Sequence, residues 1–210
     1  MRNKRIWSYG GVAASILLIA VGIVSIVVGT GGRSEVRSDI KREAIVGTPD
    51  MTPNKIAAEV NKAGLKDVSL PSCSIAGNAV ETGSQAKCFA SYMRIHTLMA
   101  TGGQTYAEMP RYATADGKGT NDGAKALTNA KTGEPQDNPA RTIWINETAL
   151  ATALNTSYFA EQVSLFSLAI GIALVLTGIG FLVLTVRLLE PAERKQQAPT
   201  AVKTAVPTAS

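Results

Sequence analysis

Histidine occurs once in this chain of 210 residues, at His96, and cysteine twice, at Cys73 and Cys88. Two cysteines and one histidine do not complete a tetrahedral metal set, and their spacing matches no zinc motif. No GxSxG, SxxK or Gly-rich phosphate loop is present. The ATGGQ stretch at 100–104 has too few glycines and no lysine placed to cradle a phosphate, so it is a helix stop. We therefore expect no catalytic constellation, no cofactor and no resident metal. Aromatic residues make up only 5% of the chain, which limits the core that any folded part can build.

Charge is missing from two long stretches. Residues 162–186, QVSLFSLAIGIALVLTGIGFLVLTV, carry none. About 25 residues rise ~37 Å as a helix, more than the ~30 Å hydrocarbon core of a bilayer, so the run predicts a tilted transmembrane span. The second uncharged run covers 6–32, directly after Arg2, Lys4 and Arg5. It is longer than the ~7–15-residue apolar segment of a cleaved signal peptide, and VVGTGGRSE offers no cleavage site, which predicts a retained signal anchor. Neither run contains Asp, Glu, Lys, Arg or His, so a proton or ion path through them is not expected.

The net charge of +5 and pI near 9.3 raise nucleic acid as a partner. The basic residues do not cluster on one face, however, and many flank the apolar runs, which assigns them to topology and solvation. Positive charge before the first run and at Arg187, Arg194 and Lys195 after the second places both termini in the cytoplasm. Arg33, Arg37, Lys41 and Arg42 pull the other way. A segment of ~130 residues between spans translocates largely regardless of charge, so the orientation stands. The expected layout is a cytoplasmic N-terminus at 1–5, a first span at 6–29 and an extracytoplasmic domain at 30–161. A second span at 162–186 and a disordered cytoplasmic tail at 187–210 complete it.

Trp7 and Tyr9 at one end, and Tyr158 and Phe159 at the other, are aromatics at interface positions. Ala169, Ala173 and Thr177 form one small-xxx-small row, and Ser25 with Gly29 a shorter one. Such rows serve close helix packing, as an antiparallel pair or a dimer; equally, they are ordinary small residues of a lipid-facing helix.

Outside the membrane, Val36, Ile40 and Ala44 recur at helical spacing, so the first span continues as a stalk unless Gly31 and Gly32 break it. Asn138 and Pro139 have the form of an N-cap and first helical residue, with no breaker before Gln162. This predicts one helix from about Pro139 to Leu188, with Leu150 and Leu154 facing Ile40 and Val36. Thr52, Pro53 and Gly64 frame a short helix with Ile56, Val60 and Ala63 on one side. A further helix over 85–100 puts Cys88, Tyr92, Ile95 and Met99 on one face, flanked by Phe89 and His96. Residues 68–70 form a brief extended piece, and 114–136 a long surface loop with a helical turn near 124–129.

Cys73 and Cys88 both lie in the exported segment, where oxidation is expected. A disulfide between them closes a loop of about 15 residues and contributes roughly 3 kcal/mol in the chain-entropy model. His96 reads first as a packed or hydrogen-bonded residue. Its functional alternative is a small-ligand or catalytic site with Tyr106, Glu108 and Arg111, in which Glu108 or Asp116 serves as its acid–base partner.

The stretches REAIVGTPDMTP (42–53), PSCSIAG (71–77), YMRIHTLMATGGQTYAEMPRYAT (92–114) and NPARTIWINETALATALNTSYFAEQV (138–163) resemble a family of uncharacterised actinobacterial two-span membrane proteins. The resemblance implies two spans with an exported middle. Some members carry an automatic label as aromatic ring-opening dioxygenases. The lone His96 argues against that chemistry here, because a 2-His-1-carboxylate iron site needs two histidines.

Together these readings predict a mainly α protein: a two-helix transmembrane hairpin with a small, disulfide-clipped, mostly helical extracytoplasmic domain in the plasma membrane. Its expected work is non-enzymatic, as an accessory subunit or scaffold whose partners are the lipid bilayer and a membrane or envelope protein, or a second copy of itself.

Overall fold

A computed structural model describes residues 2–194, with side chains described for 9–187. Among the described residues the regular structure is four α-helices and one 3-10 turn, with no strand. The helices are α1 (Arg2–Arg42), α2 (Pro53–Lys62), α3 (Gly83–Ala100) and α4 (Pro139–Arg194), and the turn is Gly123–Lys125. Of the expected tail, 195–210 lies outside the described residues, as does the side chain of Trp7. Two of these helices, over Tyr9–Arg42 and Pro139–Arg187, are long and apolar enough to cross a membrane.

The chain divides into two compact units, one formed by Met1–Thr30 with Phe166–Ser210 and the other by Gly31–Leu165. In the first unit α1 and α4 pack antiparallel through residues too small to hold them apart. A Cβ on Gly171 would lie 2.7 Å from the Gly22 carbonyl oxygen, and one on Gly178 would lie 2.9 Å from the Ser15 carbonyl oxygen. A Cβ on Gly11 would lie 2.8 Å from the Thr185 hydroxyl. The buried positions repeat every seven residues, at Ser15, Gly22 and Gly29 on α1 and at Gly171 and Gly178 on α4, which is the period of a coiled-coil seam. Ser25 is half-buried beside that seam, whereas Ala169, Ala173 and Thr177 are exposed.

The outward faces of this unit are apolar. Leu17, Val27, Phe166 and Leu176 are each more than 60% exposed, whereas a water-soluble helix pair would turn such side chains inward. Hydroxyls are satisfied within the helices: Ser15, Thr177 and Thr185 donate to the carbonyls of Gly11, Ala173 and Phe181 at 2.7–2.8 Å. This lets polar side chains sit on an apolar helix without unpaired groups.

In the second unit, α1 continues unbroken through Gly31 and Gly32 to Arg42. Gly32 approaches α4 closely, since a Cβ there would meet the Ser164 hydroxyl at 2.9 Å. The helix ends where Ala44 turns left-handed, at φ 50°. Ala44 therefore leaves the helical face on which its spacing with Val36 and Ile40 placed it.

α2 starts as its residues dictate. Thr52 caps it by accepting from the Lys55 N–H, Pro53 follows, and Gly64 at φ +68° stands just past the end. α3 starts two residues earlier than its apolar spacing implies, because Thr82 and Gln85 form a capping box. The Gln85 N–H donates to the Thr82 hydroxyl at 3.3 Å, and the Glu81 N–H donates to the Gln85 side chain at 2.9 Å.

The core gathers Ile40 from α1, Ile56 and Val60 from α2, Tyr92 and Ile95 from α3, and Leu154 from α4. Met51, Ile75 and Val80 enter from the connecting segments, while Val36 and Ala151 pack at its edge. Leu150 is exposed and takes no part in the stalk seam, because the α4 face turned inward runs through Trp144, Glu147, Ala151 and Leu154.

Residues 110–138 are tied down by backbone hydrogen bonds. Tyr112 exchanges both of its bonds with Thr120 at 2.9 Å, the Ala113 N–H donates to Gln136 O at 2.9 Å, and the Gln136 N–H donates to Leu127 O at 2.7 Å. The helical turn falls at Gly123–Lys125, capped by Asp122. Residues 68–70 form no strand, and Val68 packs half-buried against the core.

Candidate functional site

His96 stands on α3 one turn beyond the buried Tyr92. Its Nε2 lies 2.6 Å from Asp50 Oδ2, with the side chains 32% and 26% exposed. The loop that presents Asp50 is held on both sides. The Gly47 N–H donates to Asn78 O at 3.0 Å, the Gly77 N–H to Gly47 O at 2.8 Å and the Ile75 N–H to Met51 O at 3.1 Å. Any side chain at Gly47 would enter this contact, because a Cβ there would lie 2.2 Å from the Ile75 carbonyl oxygen. Between these anchors the Met51 N–H donates back to Thr48 O at 3.0 Å, and the resulting turn aims Asp50 at α3.

Partial burial pushes the Asp50 carboxyl up, but hydrogen bonds from the Thr48 hydroxyl, its own backbone N–H and His96 outweigh that. The net effect holds it below the usual aspartate range, as an anion. Beside it, Tyr92 donates to Cys73 O at 2.6 Å. Burial, and secondarily the charge on Asp50, push its phenol above the ordinary value. α2 brings Glu59 to the same place. Its carboxylate, that of Asp50 and the His96 ring nitrogen offer three ligand atoms within 4.8 Å of one another.

The other residues expected around His96 take different partners. The Tyr106 ring lies under the Arg141 guanidinium, 4.0 Å from centroid to Cζ. Glu108 folds back on Thr105, accepting from its N–H at 2.7 Å and its hydroxyl at 2.8 Å. Arg111 lies over Tyr112 at 5.1 Å, and its N–H donates to Asn121. Asp116 accepts from the Thr114 hydroxyl and the Lys118 N–H. Neither Glu108 nor Asp116 bonds His96. The partner is Asp50, which precedes it by 46 residues, and neither Asp50 nor Glu59 belongs to a local motif that spacing could reveal.

A second polar cluster carries charge through the fold. Glu161 on α4 is only 3% exposed and accepts from Arg33 Nε at 3.1 Å and Arg37 Nε at 2.7 Å through one oxygen. Its other oxygen accepts the Gly83 N–H at the start of α3 at 2.6 Å. A Cβ on Gly83 would lie 2.7 Å from the Tyr158 Cα and 3.0 Å from that carboxylate oxygen, so this helix start has room only for glycine. Burial raises the Glu161 pKa, but the bonds from Arg37, Gly83 and Arg33 outweigh it and hold the group below the usual glutamate range. Lys41 pairs with Glu81 at 3.4 Å, and Arg42 with Asp39 at 2.7 Å. All four basic residues that complicate the orientation thus have acidic partners.

Cys73 and Cys88 are joined, with Cα atoms 6.1 Å apart. No family model, curated protein or solved structure matches the chain.

Proposed function

We propose that this is a plasma-membrane protein. In this reading α1 and α4 form a hairpin across the bilayer, both termini lie in the cytoplasm, and the disulfide-clipped unit lies on the outer face. Its work is interaction: it serves as an accessory subunit or scaffold for a membrane or envelope protein, or for a second copy of itself. The lineage implied by the resemblance to two-span actinobacterial proteins is consistent with that reading.

The observation that carries the interaction role is the free side of α4 within Gly31–Leu165. Only one stripe of it packs inward, and Ile143, Ile145 and Leu150 are 41%, 54% and 55% exposed. Ile143 and Leu150 are seven residues apart and share a face. Apolar side chains held on a rigid helix are what a helical partner uses as anchors.

Purification of the full chain from membranes solubilised in mild detergent tests the proposal. A defined partner or a discrete oligomer should copurify. The double variant Ile143→Glu and Leu150→Glu should lose it with no change in melting temperature, because both side chains are exposed. Recovery of a bare monomer from wild-type membranes contradicts the reading.

A further inference from the structure

We propose that Asp50, Glu59 and His96 bind a divalent transition-metal ion of the zinc class on the unit formed by Gly31–Leu165. Three separate segments supply the donors: the loop after α1, α2 and α3. Their ligand atoms already lie within 4.8 Å of one another. In a tetrahedral zinc site with bonds of about 2.0–2.1 Å, neighbouring donors stand roughly 3.3 Å apart. The 2.6 Å His96–Asp50 contact therefore opens by about 0.7 Å, and a donor pair at the 4.8 Å limit closes by about 1.5 Å. All three side chains are partly exposed, so side-chain rotation supplies both movements and the ion has a path from solvent.

The donor set selects the ion. One imidazole nitrogen with two carboxylates suits zinc and its neighbours in the first transition row, whereas magnesium and calcium prefer oxygen alone. Two carboxylates also match the charge of a divalent ion. Asp50 is held anionic and oriented by the Thr48 hydroxyl, the kind of outer contact that fixes a metal ligand. Glu59 makes no ion pair among the described residues. Lys55, one turn earlier on the same helix, donates to the Pro49 carbonyl at 2.9 Å. Both cysteines are in the disulfide, so no thiolate competes. Once bound, the ion fastens the Asp50 loop to α2 and α3 and keeps a fourth position for water.

The test uses the full chain in detergent, without a polyhistidine tag, stripped with a chelator and titrated with zinc against a chromophoric competitor. Cobalt serves as a spectroscopic probe. The expected result is one equivalent bound, a melting temperature that rises with zinc but not with magnesium, and a cobalt absorption band that Glu59→Gln alters. Glu59→Gln should weaken zinc binding at least about tenfold while leaving the metal-free protein folded. His96→Gln should abolish binding. If His96→Gln fails to fold, Glu59→Gln still decides the matter, because Glu59 supports no other described interaction. No saturable zinc binding, equal affinity in Glu59→Gln, or an equal response to magnesium overturns the proposal.

Discussion

At the scale of single residues, Glu161 concentrates the most consequence. Among the described residues it is the one buried carboxylate that two arginines and a helix N-terminus all address. Removing one partner of a fully buried ion pair costs about 3–5 kcal/mol. Here the arginines remain 37–39% exposed and can recover water, so Glu161→Gln should destabilise the protein by about 2 kcal/mol, measured by chemical denaturation in detergent. Its depressed pKa also fixes a sign. The stabilisation is complete above the ordinary glutamate value near 4.5 and is lost as pH falls through the lower folded value. Wild type should therefore lose stability on acidification below about that pH, and Glu161→Gln should lose correspondingly less. Equal acid sensitivity in the two proteins would exclude Glu161 as a source. None of this was legible from local sequence. Glu161 appears there only as the residue before an apolar run, and its partners lie 78 to 128 residues away. The same holds for Asp50 and His96, which long-range folding alone brings together.

Elements were far more legible, because their signals are local. Thr52, Pro53 and Gly64 mark α2 at both ends, and Asn138 with Pro139 marks the start of α4. The inward face of α3 follows from the spacing of Cys88, Tyr92 and Ile95, all buried. Misplacements have physical causes. The α4 stripe passes through Leu154 and Ala151 and leaves Leu150 outside, because the helix is rotated to bury Trp144, whose indole donates to Gln104 O at 2.8 Å. The helix pair meets through a seven-residue repeat of Ser and Gly, of which the four-residue rows picked out Gly29 alone. The disulfide ties the segment before α3 to the helix itself, across a sequence separation of 15. Cys73→Ser or reduction should destabilise the protein by roughly 3 kcal/mol in the chain-entropy model. The effect should register as a lower denaturation midpoint with the helical signal retained in buffer. A midpoint unchanged by reductant would show that the bond constrains nothing.

At the scale of the whole molecule, two apolar helices bracket one folded unit that contains both cysteines and all the acid–base pairs described above. The composition of the two helices was plain in the sequence, where Arg33, Arg37, Lys41 and Arg42 pull against the expected orientation without overturning it. In the fold these four pair with Glu161, Glu81 and Asp39. The proposed arrangement, a membrane hairpin with an oxidised domain outside, has a direct consequence for the two cysteines. They can be reached with a membrane-impermeant maleimide on intact cells expressing the full chain, before and after mild reduction. The account predicts no labelling before reduction and labelling of both Cys73 and Cys88 after it, without lysis. Thiols that react only once the cells are broken open, with no reductant required, would contradict it.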